Sequence, residues 1–488
     1  LADWVRSLGA SVVGTLPILA QFYDEAIFEP SPYSPASRLM WNEVYLDLIG
    51  LPEWSGRPRE RGVLSSIGLQ NAIADGRREH FIDWRSYAEL RRSVLRVAAE
   101  LNPQAERGPA FRDVPPRRPE VLEYARFRAR TEHHGPWQSW RSAEPDFDPA
   151  VERYHAYAQW LCDEQLHHLA LRGGSALYLD LPLGVHRAGF DTWRWPECFV
   201  MDASAGAPPD PLAAEGQDWA FPPLHPQGNR EQGYEYVRAF LRHHMRYAGR
   251  LRIDHVMGLH RLYVIPRGFP ASEGVYVRYP APDLYALLSL ESHRHKTEVV
   301  GENLGTVPVY VNRAMKRHGI SGMYVLPFEI DLAAGRIREP NPESVAALNT
   351  HDLPTFESWW HGGDIDMREE AERLSPSGAA EERRRRKAER DTAARFLTQN
   401  GLLSAKDATS SSDVRRALMR YLADSPARLV LANLEDIWGE TEPQNVPGTS
   451  SERPNWRHRG RLSLEDMEAS EAVLTALREI DSARRGEL

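Results

Sequence analysis

Three carboxylic acids of this sequence lie at or just after the end of a short apolar segment rich in β-branched residues. Asp254 is the last residue of one such segment, Glu302 comes directly after a second, and Asp352 comes shortly after a third. When parallel strands close into a barrel, their carboxyl ends meet at one face, and active sites form there. Three carboxylates at one barrel mouth are costly to desolvate unless they are used, so the pattern predicts a catalytic site.

Asp254 and Glu302 suit cleavage of a glycosidic bond with retention of configuration. That reaction needs two carboxyl groups about 5 to 5.5 Å apart, and side chains on neighbouring strand tips, about 4.8 Å apart, meet this spacing. Arg252 shares a strand face with Asp254 and would keep it ionised as the nucleophile. Glu302 has the longer reach of an acid/base. Asp352, with a hydrogen bond from His351, would stabilise the cationic transition state.

Seven segments have the apolar, β-branched composition of buried strands, and helical patterns separate most of them. This alternation predicts an α/β fold, a (β/α)8 TIM barrel with helical insertions. Because a barrel of this class has eight strands and the chain opens in a helical pattern, we expect the first strand to lie before Leu1. The predicted strands are residues 11–19, 176–181, 250–254, 298–301, 322–328, 344–348 and 428–434.

The spacing of these strands predicts five regions, because two gaps are too long for simple crossovers. A Pro- and Arg-rich patch at residues 107–118 lies in the first gap. The regions are residues 1–50, the start of the barrel without strand 1; 51–170, an inserted helical subdomain; 171–360, the barrel core with the catalytic strand ends; 361–425, a polar helical insertion; and 426–488, the last strand and the C-terminal tail.

Composition argues against several classes of partner. The formal charge of -9 disfavours nucleic acid and anionic membranes, which both reward a basic surface. No apolar run approaches the roughly 18 to 20 residues of a membrane helix. Cys162 and Cys198 are predicted to be reduced packing residues. Adjacent histidines such as His133 and His134 diverge by about 100° on a helix, so we predict no metal site.

The catalytic segments resemble known motifs. Residues 252–255, 301–305 and 350–352 look like the nucleophile, acid/base and stabiliser motifs of the α-amylase clan. Other stretches resemble, in matching order from residue 1 to about 459, the amylomaltase (disproportionating enzyme) family, a group of 4-alpha-glucanotransferases. These stretches are residues 31–34 with Asn42, 180–185 with 191–193, 207–210 with 216–219, and 440–449 with 453–457.

By this resemblance Asp254 is the nucleophile, Glu302 the acid/base and Asp352 the stabiliser. It also implies transfer of α-1,4-glucan segments between malto-oligosaccharides, no cofactor and a cytoplasmic setting. Two alternatives stay open, an α-amylase-type hydrolase and an inactive glucan-binding fragment. Asn303 departs from the pattern, since many relatives have Asp there. The implied substrate-binding residues are Tyr33, Asp180, Trp219, Arg252, His255 and His351.

Aromatic residues near the strand ends have two possible roles. Their faces can stack on sugar rings and help to exclude water, which favours transfer over hydrolysis. The alternative is that most of them fill the core. Trp219, Trp359 and Trp360 are examples of this ambiguity. Residues 265–278 could likewise be a mobile loop over the acceptor groove or an ordinary surface loop.

Overall fold

A computed structural model describes residues 1–101, 118–171, 176–209, 215–371, 373–449 and 453–486. The chain divides into two compact units. The first unit comprises Leu1–Gly14 and Val299–Leu488, and the second unit comprises Thr15–Glu298. Most of the predicted Pro- and Arg-rich patch, residues 107–117, lies outside the described residues.

The strands of the described residues are short, and the longest have six residues. In chain order they are β1 (Val12–Gly14), β2 (Ala176–Leu181), β3 (Ala203–Ala207), β4 (Gln217–Asp218), β5 (Ala248–Ile253), β6 (Arg261–Pro266), β7 (Val275–Arg278), β8 (Glu298–Gly301), β9 (Ser321–Val325), β10 (Ile330–Asp331), β11 (Arg336–Ile337), β12 (Ser344–Ala347) and β13 (Leu429–Leu431).

Each of the seven predicted strands overlaps an observed strand, namely β1, β2, β5, β8, β9, β12 or β13. In the second unit β2 pairs in parallel with β5. In the first unit β8 pairs with β9, β9 with β12, and β12 with β13, all in parallel. Parallel strands interleaved with helices are the arrangement expected of a (β/α)8 barrel, and the predicted fold class is confirmed.

Helices occupy both predicted insertions, whose exact boundaries remain a prediction. Side-chain caps begin several of them, as at Ser66, Ser375 and Ser410. Within the described residues the α-helices are Ala2–Ser7, Pro58–Arg61, Ile67–Arg78, Trp84–Leu101, Glu120–His134, Pro149–Leu171, Phe190–Arg194, Pro226–Glu231, Glu235–Met245, Ala281–His295, Val309–Arg317, Phe356–His361, Gly363–Glu370, Pro376–Gln399, Ser411–Asp424, Leu434–Ile437, Leu464–Ala469 and Glu471–Arg485.

Two β-structures were not predicted from the sequence. In the second unit β4, β3, β6 and β7 form an antiparallel sheet; residues 265–278 span the end of β6 and all of β7. In the first unit β10 and β11 pair antiparallel. The predicted strand at residues 322–328 is also too long, because Leu326–Glu329 forms a 3-10 helix whose Pro at its second position interrupts the strand.

The first unit has an apolar core beside the helix that follows β12. Phe356, Trp359 and Trp360 are buried in it together with Leu418 and Leu422 of the helix Ser411–Asp424. Core packing is therefore the role of Trp359 and Trp360, and Arg390 lies over the Trp360 ring at 4.4 Å from its centroid. Leu348 and Phe356, which lie before and after Asp352 in the sequence, are both buried in this core.

Two expectations from composition concern membranes and thiols. Across the part of the chain that the structure describes, no helix combines the length and the apolar character that a bilayer span requires. Cys162 and Cys198 are buried and free, as predicted. Burial raises the pKa of both thiols, which keeps them protonated and unreactive.

Candidate active site

In the second unit, four predicted site residues form one connected group at the ends of β2 and β5. Asp180 and Arg252 are register partners on these strands. Nη1 of Arg252 lies 2.8 and 2.9 Å from the two carboxylate oxygens of Asp180 and 3.1 Å from Oδ1 of Asp254. The Tyr33 hydroxyl donates to Oδ2 of Asp180 at 2.7 Å. One guanidinium therefore holds two carboxylates in place.

Burial differs between the two carboxylates that share Arg252. Asp180 is 5% exposed, whereas the side chain of Asp254 is 22% exposed. The backbone N–H of Leu183 donates to Oδ2 of Asp254 at 3.3 Å, so both Asp254 oxygens have a polar contact. Asp180 is thus placed to orient Arg252, and Asp254 keeps access to a reactant. The predicted contact of Arg252 with Asp254 is confirmed.

Trp219 and His255 also come together in the second unit. Their ring centroids are 5.3 Å apart in an edge arrangement, and Trp219 stacks on Phe221. His255 has a positive φ of 45°, so the chain turns sharply as soon as β5 ends. Because Gly184 lacks a Cβ, the Phe221 ring can approach it; an added Cβ would lie 2.2 Å from that ring. The rings of Trp219 and His255 therefore form one aromatic surface, and His255 is the residue that follows Asp254.

In the first unit Glu302 directly follows β8. Its Oε1 accepts a hydrogen bond from the backbone N–H of Leu304 at 2.8 Å. The next residue, Asn303, accepts from the N–H of Met323 at 2.8 Å and donates to Asn312 at 3.0 Å. Asn303 thus ties the end of β8 to β9. Asn303 departs from the family pattern, and its amide makes both hydrogen bonds because it is a donor and an acceptor at once.

Asp352 lies in a polar cluster of the first unit. Asn445 Nδ2 donates to Oδ1 of Asp352 at 2.7 Å, and His351 Nε2 lies 3.2 Å from Oδ2. The His351 ring packs 5.8 Å from the ring of Trp456. Asp352 stays 48% exposed, so it remains accessible to a ligand. In the sequence, Asn445 and Trp456 belong only to the stretches 440–449 and 453–457 that resemble the family; their contacts with Asp352 and His351 are a finding of the structure.

The structure brings the predicted residues together within each unit. In the second unit these are Tyr33, Asp180, Arg252 and Asp254, with Trp219 beside His255; in the first unit His351 contacts Asp352. The pairing of Asp254 with Glu302, and the catalytic roles of all three carboxylates, remain predictions.

A cluster of His133, His134 and Asp146 in the second unit bears on metal binding. One ligand atom from each lies within 4.8 Å of the other two, so the side chains approach more closely than we expected. The His134 Nε2 is already 2.9 Å from the Asp146 carbonyl and 3.0 Å from its carboxylate. Ligands of one tetrahedral zinc ion lie only about 3.3 Å apart. The absence of a metal site stays a prediction.

Comparison with known proteins shows the family of this chain. The family model described as 4-alpha-glucanotransferase matches residues 1–463. The chain belongs to the 4-alpha-glucanotransferase family. The resemblance seen in the sequence motifs is thereby confirmed, and the match to this family extends beyond the barrel strands into the segment that carries Asn445 and Trp456.

Individual members of the 4-alpha-glucanotransferase family align with most of the chain. A 4-alpha-glucanotransferase of Mycobacterium tuberculosis is 34% identical over 88% of this chain and 62% of its own length. That of Haemophilus influenzae is 30% identical over 98% of this chain and 74% of its own length. The chain therefore spans less than two thirds of the mycobacterial relative.

Solved structures of amylomaltases share the fold. The crystal structure of amylomaltase from Corynebacterium glutamicum has a TM-score of 0.85 at 28% identity and covers 99% of this chain and 71% of its own. The amylomaltase of Streptococcus agalactiae has a TM-score of 0.75 at 20% identity and covers 99% of this chain and 94% of its own. The second similarity concerns the fold alone.

Proposed function

We propose that this chain is a 4-alpha-glucanotransferase that moves α-1,4-glucan segments between malto-oligosaccharides. The observation that carries the proposal is the Arg252 guanidinium shared by Asp180 and Asp254. A paired cation keeps a carboxylate charged and oriented, which a nucleophile requires. Membership of the 4-alpha-glucanotransferase family supports the choice of reaction.

The reaction proceeds by double displacement. A carboxylate oxygen of Asp254 attacks the anomeric carbon while Glu302 gives its proton to the departing glycosidic oxygen. The donor's reducing-end fragment leaves, and its non-reducing part stays bound to Asp254 as an ester. Glu302 then takes the proton from the 4-hydroxyl of an acceptor sugar, whose oxygen attacks the anomeric carbon and releases Asp254. Two inversions give net retention.

Other residues of the site bind and orient the sugar. Asp352, held by Asn445 and His351, accepts hydrogen bonds from sugar hydroxyls and stabilises positive charge at the anomeric carbon. Trp219 and His255 offer the ring surface on which a glucose unit stacks. The amylomaltase of Streptococcus agalactiae has been solved in complex with acarbose, which makes acarbose a suitable first ligand to test.

Incubation with maltotriose tests the proposal. Transfer yields glucose and a ladder of longer oligomers with almost no new reducing ends, because every bond broken is replaced by another. A rise in reducing ends without a ladder would instead identify an α-amylase-type hydrolase. No change in the substrate would contradict both catalytic interpretations and leave the inactive glucan-binding fragment.

Two variants make this assay specific for the site. Asp254→Asn removes the nucleophile and is expected to lower the rate by at least about 10³-fold. Asp75→Asn, a change of the same kind in the exposed helix Ile67–Arg78, is the control and should behave as the parent. Equal rates for the parent and Asp254→Asn would contradict the proposal.

The proposed setting is the cytoplasm. Free cysteines are typical of reducing compartments, and Cys162 and Cys198 are both free. Fractionation of cells that produce the protein from its natural gene is the measurement; recovery with secreted proteins would contradict this part of the proposal.

A further inference from the structure

The segment that carries His351 and Asp352 is held at both ends by one carboxylate oxygen. Asn349, which precedes the segment, donates from Nδ2 to Oδ1 of Asp436 at 3.2 Å. Phe356, which follows it, donates its backbone N–H to the same oxygen at 2.8 Å. Asp436 lies in the helix Leu434–Ile437 and is 2% exposed. The segment is therefore a short loop closed by a buried group.

Further hydrogen bonds hold Asn349 itself. Asn433, two residues after β13, donates from Nδ2 to the backbone carbonyl of Asn349 at 3.1 Å and to its side-chain oxygen. Asn349 Nδ2 also donates to the carbonyl of Pro354 at 3.2 Å. Both the nitrogen and the oxygen of the Asn349 amide make hydrogen bonds, so the orientation of this side chain is fixed. Any other rotamer of Asn349 would lose these bonds and the contact with Asp436.

Few charges balance the carboxyl of Asp436. Burial raises its pKa to about 7, against the hydrogen bond from Phe356, which lowers it. Glu435, the preceding residue, raises the pKa further; Arg415, on the packed helix Ser411–Asp424, and the Asn433 side chain lower it. Arg415 is paired with Glu357. Oδ2 of Asp436 has no hydrogen-bond partner among the described residues.

We propose that Asp436 is a positioning residue that places His351 and Asp352 for the transfer reaction by tethering both ends of their loop. This inference rests on the proposed function. Asp436 does not touch the sugar; it acts through Asn349 and Phe356. Displacement of a catalytic group by about 1 Å costs roughly 10²-fold in rate, so loosening this loop is expected to lower kcat more than it raises KM.

Two substitutions at position 436 test whether Asp436 positions the loop. Asp436→Ala removes the acceptor and is expected to lower kcat by about 10²-fold with KM within twofold of the parent. Asp436→Asn keeps a neutral oxygen acceptor, which is weaker than a carboxylate, and should lower kcat by about tenfold. Asp424→Asn, an exposed change in the same unit, is the matched control and should behave as the parent. Parent-like kcat values for both position-436 variants would overturn the proposal.

The pH profile separates positioning from stability, because the two move in opposite directions. The ionised carboxylate is the stronger acceptor, so kcat of the parent should fall as the pH drops through about 7. The raised pKa means that the folded state binds its proton more tightly than the unfolded state, so the stability from this group is full below the ordinary pKa of 3.8 and is lost as the pH rises to about 7. Asp436→Asn should lack both transitions. A parent profile shared by the Asn variant would overturn the proposal.

Hydrogen exchange reports the tether without requiring activity. Amides of residues 349–356 should exchange faster in Asp436→Asn than in the parent, with residues 411–424 unchanged. If the parent makes no oligomer ladder, the proposed function fails, whereas unchanged exchange in the variant refutes the tether alone. Should Asp436→Ala not fold, Asn433→Ala replaces it; this variant removes the donor to Asn349, and unchanged kcat and unchanged exchange would count against the proposal.

Discussion

Nη1 of Arg252 lies 3.1 Å from Oδ1 of Asp254, two residues further along the same strand end. The same nitrogen contacts both oxygens of Asp180 on the paired strand. The side chain of Arg252 is 9% exposed, so little water screens this arrangement, and its charge acts on both carboxylates. The reactivity of Asp254 should therefore depend on the identity of residue 252.

Arg252→Lys keeps the charge but cannot hold two carboxylates with a planar group, because an ammonium is a compact point charge. We expect kcat/KM for maltotriose to fall by about 10²-fold, as for the loss of a charged hydrogen bond worth about 1.5 to 3 kcal/mol. Arg250→Lys on the same strand, where Arg250 pairs with Glu298, is the control and should have near-parent kinetics. Equal losses in the two variants would indicate a general effect on the strand.

Glu302→Gln tests the acid/base role. The amide cannot donate the proton that the leaving sugar oxygen needs, so transfer from maltotriose should fall by about 10² to 10⁴-fold. An α-maltosyl fluoride donor needs no such proton, so release of fluoride should be much less affected. The exposed Glu339→Gln should match the parent with both donors. Equal losses with both donors would argue against an acid role for Glu302.

Tyr33→Phe removes the hydroxyl that donates to Asp180 at 2.7 Å. Since Asp180 orients Arg252, we expect kcat/KM to fall by about tenfold, within the range for a hydrogen bond to a charged group. The same substitution at Tyr87, which is 39% exposed, is the control. Steady-state kinetics with maltotriose are the measurement. If both tyrosine variants had the kcat/KM of the parent, the contact of Tyr33 with Asp180 would have no role in the reaction.

Asp191→Ala tests a buried carboxylate that supports the fold of the second unit. Asp191 is fully buried, and it accepts hydrogen bonds from the Ser37 hydroxyl, the Arg38 N–H and the Tyr236 hydroxyl. Leaving these donors unpaired should destabilise the protein by about 3 to 5 kcal/mol, measured as a lower thermal unfolding midpoint.

Asp283→Ala is the matched control for that measurement, because Asp283 also accepts from a tyrosine hydroxyl but its side chain is 40% exposed. It should lower the midpoint far less. Equal shifts of the unfolding midpoint for the two variants would show that the burial of the Asp191 hydrogen bonds adds nothing to the stability of the protein.

The sequence by itself determined the parallel strands and the carboxylates that follow them. A strand buried on both faces is largely apolar, and β2, with five of its six residues buried, is apolar except for Asp180. Asp254 and Glu302 come directly after β5 and β8, so both are visible without coordinates. The antiparallel β3, Ala203–Ala207, carries only alanine, serine and glycine, and its composition does not indicate a strand.

Only the tertiary structure decided which distant residues support the site. Asn445 contacts Asp352 across 93 residues, Tyr33 contacts Asp180 across 147, and Asp436 contacts Phe356 across 80. A local pattern reports whether a residue is buried and which face it occupies, since these follow from the strand and helix periods. The partner of a polar side chain depends on where the rest of the chain returns, because a hydrogen bond requires two groups within about 3 Å.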